Sequence, residues 1–331
     1  MYIYIRKMVA NNSILCLTIM LMEKKKRMAV LVGCNYPNTP NELHGCINDV
    51  LSMRDMLVEH FGFDLNHIEV LIDAPGSLVM PTGANIRKSL NRMIDQAEPG
   101  DVLFFHYSGH GTRIPTNHGF KHDEAIVPTD LNLITDVDFR QLVNRLPEKS
   151  SFTIISDSCH SGGLIDKEKE QIGPSSMNLT LPISLNRPKN IPFHYILNDL
   201  TSLSGIQSSD IGNHLQEIFG NEASAKFHKN KVLQGILGPI HPDSGILLSG
   251  CQANETSADM NPTMEGGKAY GAFSNAVQMV IKENGTGLSN KQLIIKTRNV
   301  LQTQGFDQHP CLYCSDANAD KPFLCLPAAM S

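Results

Sequence analysis

The sequence predicts an α/β protein in which a mostly parallel central sheet is covered by helices on both faces. Short apolar runs alternate with helical segments from Ala29 onward. The runs are continuous, which is typical of strands that are buried on both faces. Glycine, proline or aspartate bounds these runs. With 331 residues, 41% hydrophobic and 18% charged, the chain has the length and composition of one large globular domain or two modest ones.

Each element follows from its local pattern. The predicted strands are residues 29–33, 68–72, 101–108, 124–128, 152–157 and 245–250. Apolar residues recur at helical spacing in the predicted helices, which are residues 43–60, 83–97, 137–146, 270–284 and 289–304. Pro81 stands just before the second helix and Asp136 caps the third. Ligands of such sheets bind beyond the carboxyl ends of the strands, so we expect the chemistry at that edge.

The middle of the chain, residues 167–242, has a different character. It contains no run of comparable strength; residues 172–192 are predicted to be irregular, and only residues 210–219 suggest a helix. A stretch this long without strong elements is usually functional or flexible. The sequence therefore divides into a large region (residues 28–166), a linker (167–242) and a small region (243–331) that completes the same domain.

Residues 1–27 are predicted to lie outside the fold. Their apolar part, residues 13–22, is too short to span a bilayer and is flanked by basic residues. Three interpretations stay open: a signal-like segment without a small-residue cleavage site, a nuclear-import cluster at residues 24–27, or a non-native extension before a start at Met28.

Charge and cysteine content exclude several function classes. A net charge of −5 without basic and aromatic interleaving argues against nucleic acid, and we predict no membrane partner. Eight cysteines are too few for a disulfide scaffold, which favours reduced thiols and a cytoplasmic protein, although the apolar segment near the N-terminus leaves secretion open. Cys311 and Cys314 have metal or redox spacing, but no second pair follows, so packing thiols are favoured over zinc.

Two motifs carry the candidate chemistry. "HYSGHG" ends the strand at residues 101–108 and "DSCHSGG" ends the strand at 152–157. A thiol such as Cys159 is a poor nucleophile until a base makes it a thiolate, and His110 is the candidate base. Glycines beside both residues let backbone N–H groups approach a developing oxyanion, and we expect those of Gly111 and Cys159 to do so.

These motifs also have other interpretations. A cysteine or histidine at a strand end is more often an ordinary buried residue. A phosphatase is disfavoured because Ile165 stands where an arginine is needed. The side chain of His160 is expected to point away from that of Cys159, so His160 is a neighbour of the site and not its base.

Taken together, these motifs resemble those of metacaspases, the caspase-like peptidases of plants, fungi and protists. Residues 33–50, 81–90 and 243–259 are similar to the plant type II branch, and the likeness runs from Met28 to the C-terminus. Caspases carry their histidine about 50 residues before the cysteine, as here. The resemblance implies a caspase-like fold, a cysteine endopeptidase that cuts after Arg or Lys, a self-processing precursor, and a link to programmed cell death. The linker is short by type II standards.

The resemblance also implies a substrate pocket for the basic residue that precedes the cut. Its expected members are Cys46, Asp49, Ser108 and Asp157. Paired carboxylates suit a cationic side chain, since charge-assisted hydrogen bonds are strong. For Asp49 the alternative is a solvated position on the helix at residues 43–60.

Self-processing is predicted after Lys189. Lys167 and Lys169 follow Cys159 too closely, and Arg187 precedes Pro188, which would make the bond to be cut a tertiary amide. Lys189 is followed by Asn190 in chain punctuated by prolines; the basic residues at 226–231 are the second choice. Before the cut, the same segment is expected to occupy the substrate pocket.

The sequence predicts that no cofactor is required and that calcium dependence is weak or absent. Calcium needs several clustered oxygen ligands, whereas the loop at residues 116–122 contains no acid. The acids that remain nearby are Asp123, Glu124, Asp136, Asp138 and Asp166. We expect a monomer that acts on protein and peptide substrates. Two other classes stay open: a catalytically idle scaffold or quality-control factor, and a different thiol hydrolase or transferase.

Overall fold

Five of the six predicted apolar runs lie in a seven-stranded sheet at the centre of the molecule. The computed structural model describes residues 25–115, 122–159, 162, 164–165, 169–173, 186–228, 245–252, 255–262 and 267–324. The strands in this part of the chain are β1 (Arg27–Gly33), β2 (Ile68–Ile72), β3 (Val102–Ser108), β4 (Gly111–Pro115), β5 (His122–Ile126), β6 (Ile134–Thr135), β7 (Ser151–Asp157), β8 (Glu170–Ile172), β9 (Asn186–Pro188), β10 (Gly245–Ser249), β11 (Ala258–Met260), β12 (Tyr270–Gly271) and β13 (Cys311–Tyr313).

Helices flank the sheet on both sides, as the sequence predicts. The helices in the described part of the chain are α1 (Cys46–Phe61), α2 (Gly83–Asp95), α3 (Asp136–Val143), α4 (Phe193–Ser204), α5 (Ile211–Phe219), α6 (Ala272–Asn284), α7 (Asn290–Thr303) and α8 (Asp316–Ala319). Apolar residues of α2 and α3 pack with one face of the sheet. Those of α1, α6 and α7 pack with the other face. Burial on both faces explains why the central strands are continuous apolar runs.

The sheet has the strand order β2-β1-β3-β7-β10-β13-β8. The five strands from β2 to β10 are parallel; β13 is antiparallel to β10, and β8 at the edge is antiparallel to β13. The predicted mostly parallel sheet is therefore confirmed. Strand β3 is buried along its whole length, as expected for its central position.

One predicted strand lies elsewhere. The run at residues 124–128 was expected beside the other strands, but β5 belongs to a separate antiparallel sheet with β4 and β6. Its first three residues are exposed or half-buried and only its last two are buried. That pattern suits a short hairpin strand on the surface of the domain better than a central strand.

The linker is more ordered than its composition suggested. Helix α4, which the sequence analysis missed, follows Pro192 directly. Its Ile196 and Leu200 join an apolar cluster with Ile114 of β4 and Leu215 of α5. Helix α4 has only two buried residues, so its periodic signal in the sequence is weak.

The fold also begins earlier than predicted. Strand β1 starts at Arg27, and the two residues before it are tied to the loop that precedes β3. Lys25 Nζ donates to the Pro99 carbonyl at 2.9 Å, and the Lys26 backbone N–H donates to Asp101 at 2.8 Å. Residues 1–24 lie outside the described residues. Within the described part of the chain, we find no helix whose length and apolar character would let it cross a membrane.

Candidate active site

The pairing of β3 with β7 brings the two sequence motifs together. In this parallel pair Ser108 lies opposite Asp157, so His110 and Cys159 each follow two residues later at the same edge of the sheet. The two loops touch: a Cβ on Gly111 would lie 1.9 Å from the Cys159 carbonyl oxygen. Glycine is therefore required at 111, because any side chain would push the two motifs apart.

His110 is held in one orientation and one tautomer. Its Nε2 lies 2.7 Å from the Asn41 carbonyl oxygen, and the Tyr36 ring packs on it with centroids 4.7 Å apart. A carbonyl only accepts hydrogen bonds, so Nε2 carries the proton and Nδ1 keeps a lone pair. This Nδ1 is buried and has no hydrogen-bond partner within the described structure.

Burial sets the protonation state of that imidazole. His110 is 3% exposed, and burial lowers its pKa to about 4 although the Asn41 carbonyl opposes the shift. The ring is neutral at pH 7, and a neutral imidazole with a free lone pair can accept a proton.

The thiol of Cys159 is buried against a backbone amide. Its Sγ accepts a hydrogen bond from the Ser257 N–H at 3.0 Å and lies 3.8 Å from the Ser257 carbonyl oxygen. The backbone of Ser257 therefore holds the sulfur in a defined position. Ser257 was not predicted, although it lies in residues 243–259, one of the stretches that carry the resemblance.

Two backbone amides converge on one oxygen. The N–H groups of Gly111 and Cys159, here called the amide pair, donate to the Lys189 carbonyl oxygen at 3.0 and 3.1 Å. They are the two groups that the sequence analysis expected to stabilise an oxyanion. The carbonyl that they polarise belongs to the residue at which self-processing was predicted.

The side chain of Lys189 enters a pocket formed by Cys46, Asp49, Ser108 and Asp157, here called the acidic pocket. Lys189 Nζ lies 2.9 Å from Ser108 Oγ, 3.2 Å from Asp157 Oδ2 and 3.4 Å from Asp49 Oδ2. The lysine and both carboxylates are buried. Asp49 is thus a buried residue at the start of α1 and not a solvated one.

Ser108, together with groups that were not predicted, holds the two acids in place. Asp49 accepts from the Gly271 N–H at 2.9 Å and from Ser108 Oγ at 2.7 Å. Asp157 accepts from the Ser274 N–H at 2.8 Å and from the Ser257 hydroxyl. A Cβ at Gly271 would lie 2.2 Å from Lys189 Nζ, so the pocket needs glycine there to admit a basic side chain.

The acidic pocket shifts the pKa values of its members in different directions. Burial raises the pKa of Asp49 to about 7, although Lys189 opposes the shift. Burial also acts to raise the pKa of Asp157, but Lys189 and the hydrogen bonds from Ser257 and Ser274 outweigh it, and the pKa is lowered. Burial raises the pKa of Cys46, which stays a neutral thiol.

Lys189 itself remains charged. Burial acts to lower its pKa, but the carboxylates, that of Asp157 above all, outweigh that effect and raise it. The lysine therefore pairs with ionised Asp157, and Asp49 changes its charge near neutral pH.

The chain on either side of Lys189 lies extended across the site. Strand β9 pairs antiparallel with β11, and the Lys189 N–H donates to the Ser257 carbonyl at 2.9 Å. Beyond Lys189, the Ile191 N–H donates to the Gly111 carbonyl at 3.1 Å. Arg187 and Pro188 are exposed, and an Arg187 guanidinium N–H donates to the Glu42 carbonyl at 2.9 Å. This is how an added β-strand binds to a sheet edge.

Asp259 of β11 is a further residue that the sequence analysis did not single out. Its carboxylate accepts from the backbone N–H groups of His44 and Gly45, both at 2.8 Å. These two amides precede the first turn of α1, which carries Cys46 and Asp49. Asp259 therefore ties the N-terminus of α1 to the strand that receives the Lys189 segment.

Three of the acids considered for calcium, Asp123, Asp136 and Asp138, are engaged by a lysine or by backbone N–H groups. Lys226 Nζ lies 2.7 Å from Asp123 and 3.1 Å from Asp136. Asp138 accepts from the backbone N–H groups of Thr135 and Ala225 at 2.8 and 3.3 Å. Among the described residues, no three His, Cys, Asp or Glu side chains are grouped so that they could hold a metal ion.

Several residues named in the sequence analysis are not part of the acidic pocket or the amide pair. Cys311 and Cys314 are buried and form no disulfide within the described residues. Lys169 pairs with Asp316 at 2.7 Å on the surface. His160, Asp166, Lys167, Lys229 and Lys231 lie outside the described residues.

Comparisons with known proteins agree with this geometry. The family model of the caspase domain matches residues 26–321. Metacaspase-9 of Arabidopsis thaliana is 59% identical over 320 residues, covering 92% of this chain and 98% of that protein. The chain belongs to the plant metacaspases. It is a cysteine-type peptidase, and its substrates are therefore proteins.

Other relatives agree with that assignment. Metacaspase-6 of Arabidopsis thaliana is 39% identical and is covered in full, with 90% of this chain matched. Metacaspase-1 of Schizosaccharomyces pombe is 33% identical, covering 88% of this chain and 67% of the yeast protein. A crystal structure of a Geobacter sulfurreducens protein shares the fold with a TM-score of 0.58 at 17% identity, covering 91% of this chain and 99% of that one. The metacaspase therefore has a caspase-like fold.

Proposed function

We propose that this metacaspase is an endopeptidase that cleaves after Lys or Arg and is made as a precursor that cuts its own chain after Lys189. The proposal rests on one observation: the side chain and the carbonyl of Lys189 are both bound in the site. Its ammonium group is buried between Asp49 and Asp157, while its carbonyl accepts from the amide pair. These are the contacts that a bound basic residue makes when the bond after it is to be cut.

Cys159 is the nucleophile of the proposed reaction and His110 is the general base. Nδ1 of His110 takes the thiol proton, and Sγ attacks the Lys189 carbonyl carbon. The amide pair holds the negative charge that develops on the carbonyl oxygen, and both donors are already at 3.0–3.1 Å. His110 then protonates the nitrogen of Asn190, which leaves as an amine. Water hydrolyses the resulting thioester, with His110 again acting as base.

The acidic pocket supplies selectivity for the residue before the cut. Two buried carboxylates and a hydroxyl favour a cation, and a neutral side chain would leave Asp157 buried without its partner. A guanidinium is planar and binds carboxylates in pairs, so arginine fits the same pocket chemistry.

The Lys189 segment also acts as the inhibitor of its own precursor. Its lysine fills the acidic pocket and its backbone pairs with β11, so a substrate meets both sites occupied. Cutting after Lys189 is the first step toward freeing them.

We also propose that the enzyme works in the cytoplasm as a monomer that needs no cofactor and little or no calcium. Every residue of the acidic pocket and the amide pair comes from one chain. Lys226 pairs with both Asp123 and Asp136 and offsets part of their negative charge, which reduces the attraction of that cluster for a divalent cation. Six buried cysteines that form no disulfide within the described residues suit a reducing compartment.

A peptide that ends in an arginyl or lysyl electrophile tests this proposal directly. The self-cleaved protein should be labelled on Cys159, and a matched probe with a neutral last residue should react far more slowly. Failure of both probes in folded protein would support the idle scaffold instead, and equal labelling by both would support a thiol enzyme of different specificity.

A further inference from the structure

The chain that follows the proposed cut is anchored beside the site. Asn190 forms a β-bridge with Gly111, and the Ile191 N–H donates to the Gly111 carbonyl at 3.1 Å. Ile191 is only 2% exposed and packs in the apolar cluster that contains Ile114 and Ile196. The amine released from Asn190 would thus be next to a residue that has no reason to leave the protein.

Further contacts hold the rest of this segment, residues 190–228, on the large region. The Asn132 amide donates to the Glu222 carbonyl at 2.8 Å, and the hydroxyls of Thr135 and Ser224 lie 2.9 Å apart. The Lys226 ion pairs add a third point of attachment. Helices α4 and α5 pack between these points and Ile191 within the same apolar cluster. None of these contacts depends on the bond between Lys189 and Asn190.

We propose that the enzyme also catalyses the reverse step, rejoining Lys189 to Asn190 before the thioester is hydrolysed. The inference rests on the acyl-enzyme of the proposed function and goes beyond it. The neutral α-amine of Asn190 attacks the thioester carbonyl carbon. A C–N bond forms, the C–S bond breaks, and its electron pair leaves with Sγ. The surplus proton of the amine passes to His110 and then to the Cys159 thiolate, so no further reactant is needed.

The retained amine makes this step competitive with hydrolysis. A reacting group that is held in position reaches effective concentrations of about 10⁵–10⁸ M in well-oriented cases, far above any free amine. The thioester therefore reacts either with the anchored amine, which restores the intact chain, or with water, which completes the cut. The net rate of cutting is limited by this return reaction, and it rises when the segment after Asn190 is loosened.

Hydroxylamine tests this competition between rejoining and hydrolysis because it reacts with the thioester. Purified precursor is allowed to cut itself with and without hydroxylamine, and the two fragments are quantified on denaturing gels and by intact mass. We expect hydroxylamine to accelerate formation of the fragments several-fold and to leave a hydroxamate on the Lys189 carboxyl. Acceleration is expected only if the acyl-enzyme otherwise returns to the intact chain.

Two variants sharpen the result. Ile191→Ala, which removes the buried anchor, should cut faster without hydroxylamine and gain less from it. Leu203→Ala on the same segment changes a side chain that is 65% exposed and should behave as the parent protein. A melting temperature close to that of the parent confirms that each variant is folded.

The outcomes separate the two proposals. A hydroxamate at Lys189 with an unchanged cutting rate in all three proteins would overturn the rejoining step and leave the peptidase mechanism intact. Folded protein that neither cuts nor forms the hydroxamate would overturn the proposed cut at Lys189, and the rejoining step with it.

Discussion

Replacing Lys189 with methionine removes the cation from the acidic pocket and keeps a side chain of similar length. We consider the change in a Cys159→Ala background, so that cutting does not obscure the stability of the intact chain. The parent pairs one ammonium with two carboxylates, all buried. In the variant, Asp49 and Asp157 remain buried without it. Removing one partner of a buried ion pair typically costs about 3–5 kcal/mol, and we expect a loss in this range.

The loss of unfolding free energy also depends on pH, and its direction follows from the pKa of Asp49. The pKa of Asp49 is raised to about 7 from an ordinary value of 3.8, so its contribution to stability is lost as pH rises through that interval. Lys189 opposes this shift, so its removal raises the pKa of Asp49 further and extends the loss above pH 7. The slope for one carboxyl is at most about 1.4 kcal/mol per pH unit.

Urea unfolding of both proteins between pH 6 and 9 measures these quantities. The Lys189→Arg variant is the matched control, since it keeps the charge and should lie closer to the parent at every pH. A Lys189→Met variant that loses less than about 1 kcal/mol and follows the pH profile of the parent would refute the buried pairing.

Three further predictions address the chemistry. Cys159→Ala and His110→Ala should each abolish cleavage of Arg or Lys peptides while the far-ultraviolet circular dichroism stays that of the parent; substantial turnover by folded Cys159→Ala would end the mechanism. Asp49→Asn and Asp157→Asn should each lower kcat/KM for basic peptides by a factor equivalent to about 1–3 kcal/mol of transition-state stabilisation, which is the value of a hydrogen bond to a charged group. Equal rates of the parent on Arg and neutral peptides would disprove the pocket. Millimolar calcium added to chelated enzyme should leave peptide turnover nearly unchanged, and a large rise would contradict the assignment.

The central strands could be predicted because the sheet is buried on both faces, which makes each strand a continuous apolar run. The strand at residues 68–72 has the same bounds in the sequence prediction and in the structure. Strand β5 was misassigned because a short apolar run does not reveal which sheet receives it. Helix α4 was missed because its cluster is completed by Ile114 of β4 and Leu215 of α5, which are distant in sequence.

The meeting of His110 and Cys159 could be anticipated because each follows a strand of the same parallel sheet. The supporting groups could not, since most of them are backbone atoms without a residue signature. The Asn41 carbonyl and the N–H groups of Gly271 and Ser274 act through their position alone. Their places depend on pairings across the fold, which a single sequence does not record.

The most direct test of the central claim is N-terminal sequencing of the C-terminal fragment that the purified precursor generates. The geometry at Lys189 predicts that this fragment begins at Asn190 and that the Cys159→Ala protein stays uncut. A fragment that begins at Pro188, or a fully active enzyme that never cuts this segment, would contradict the account.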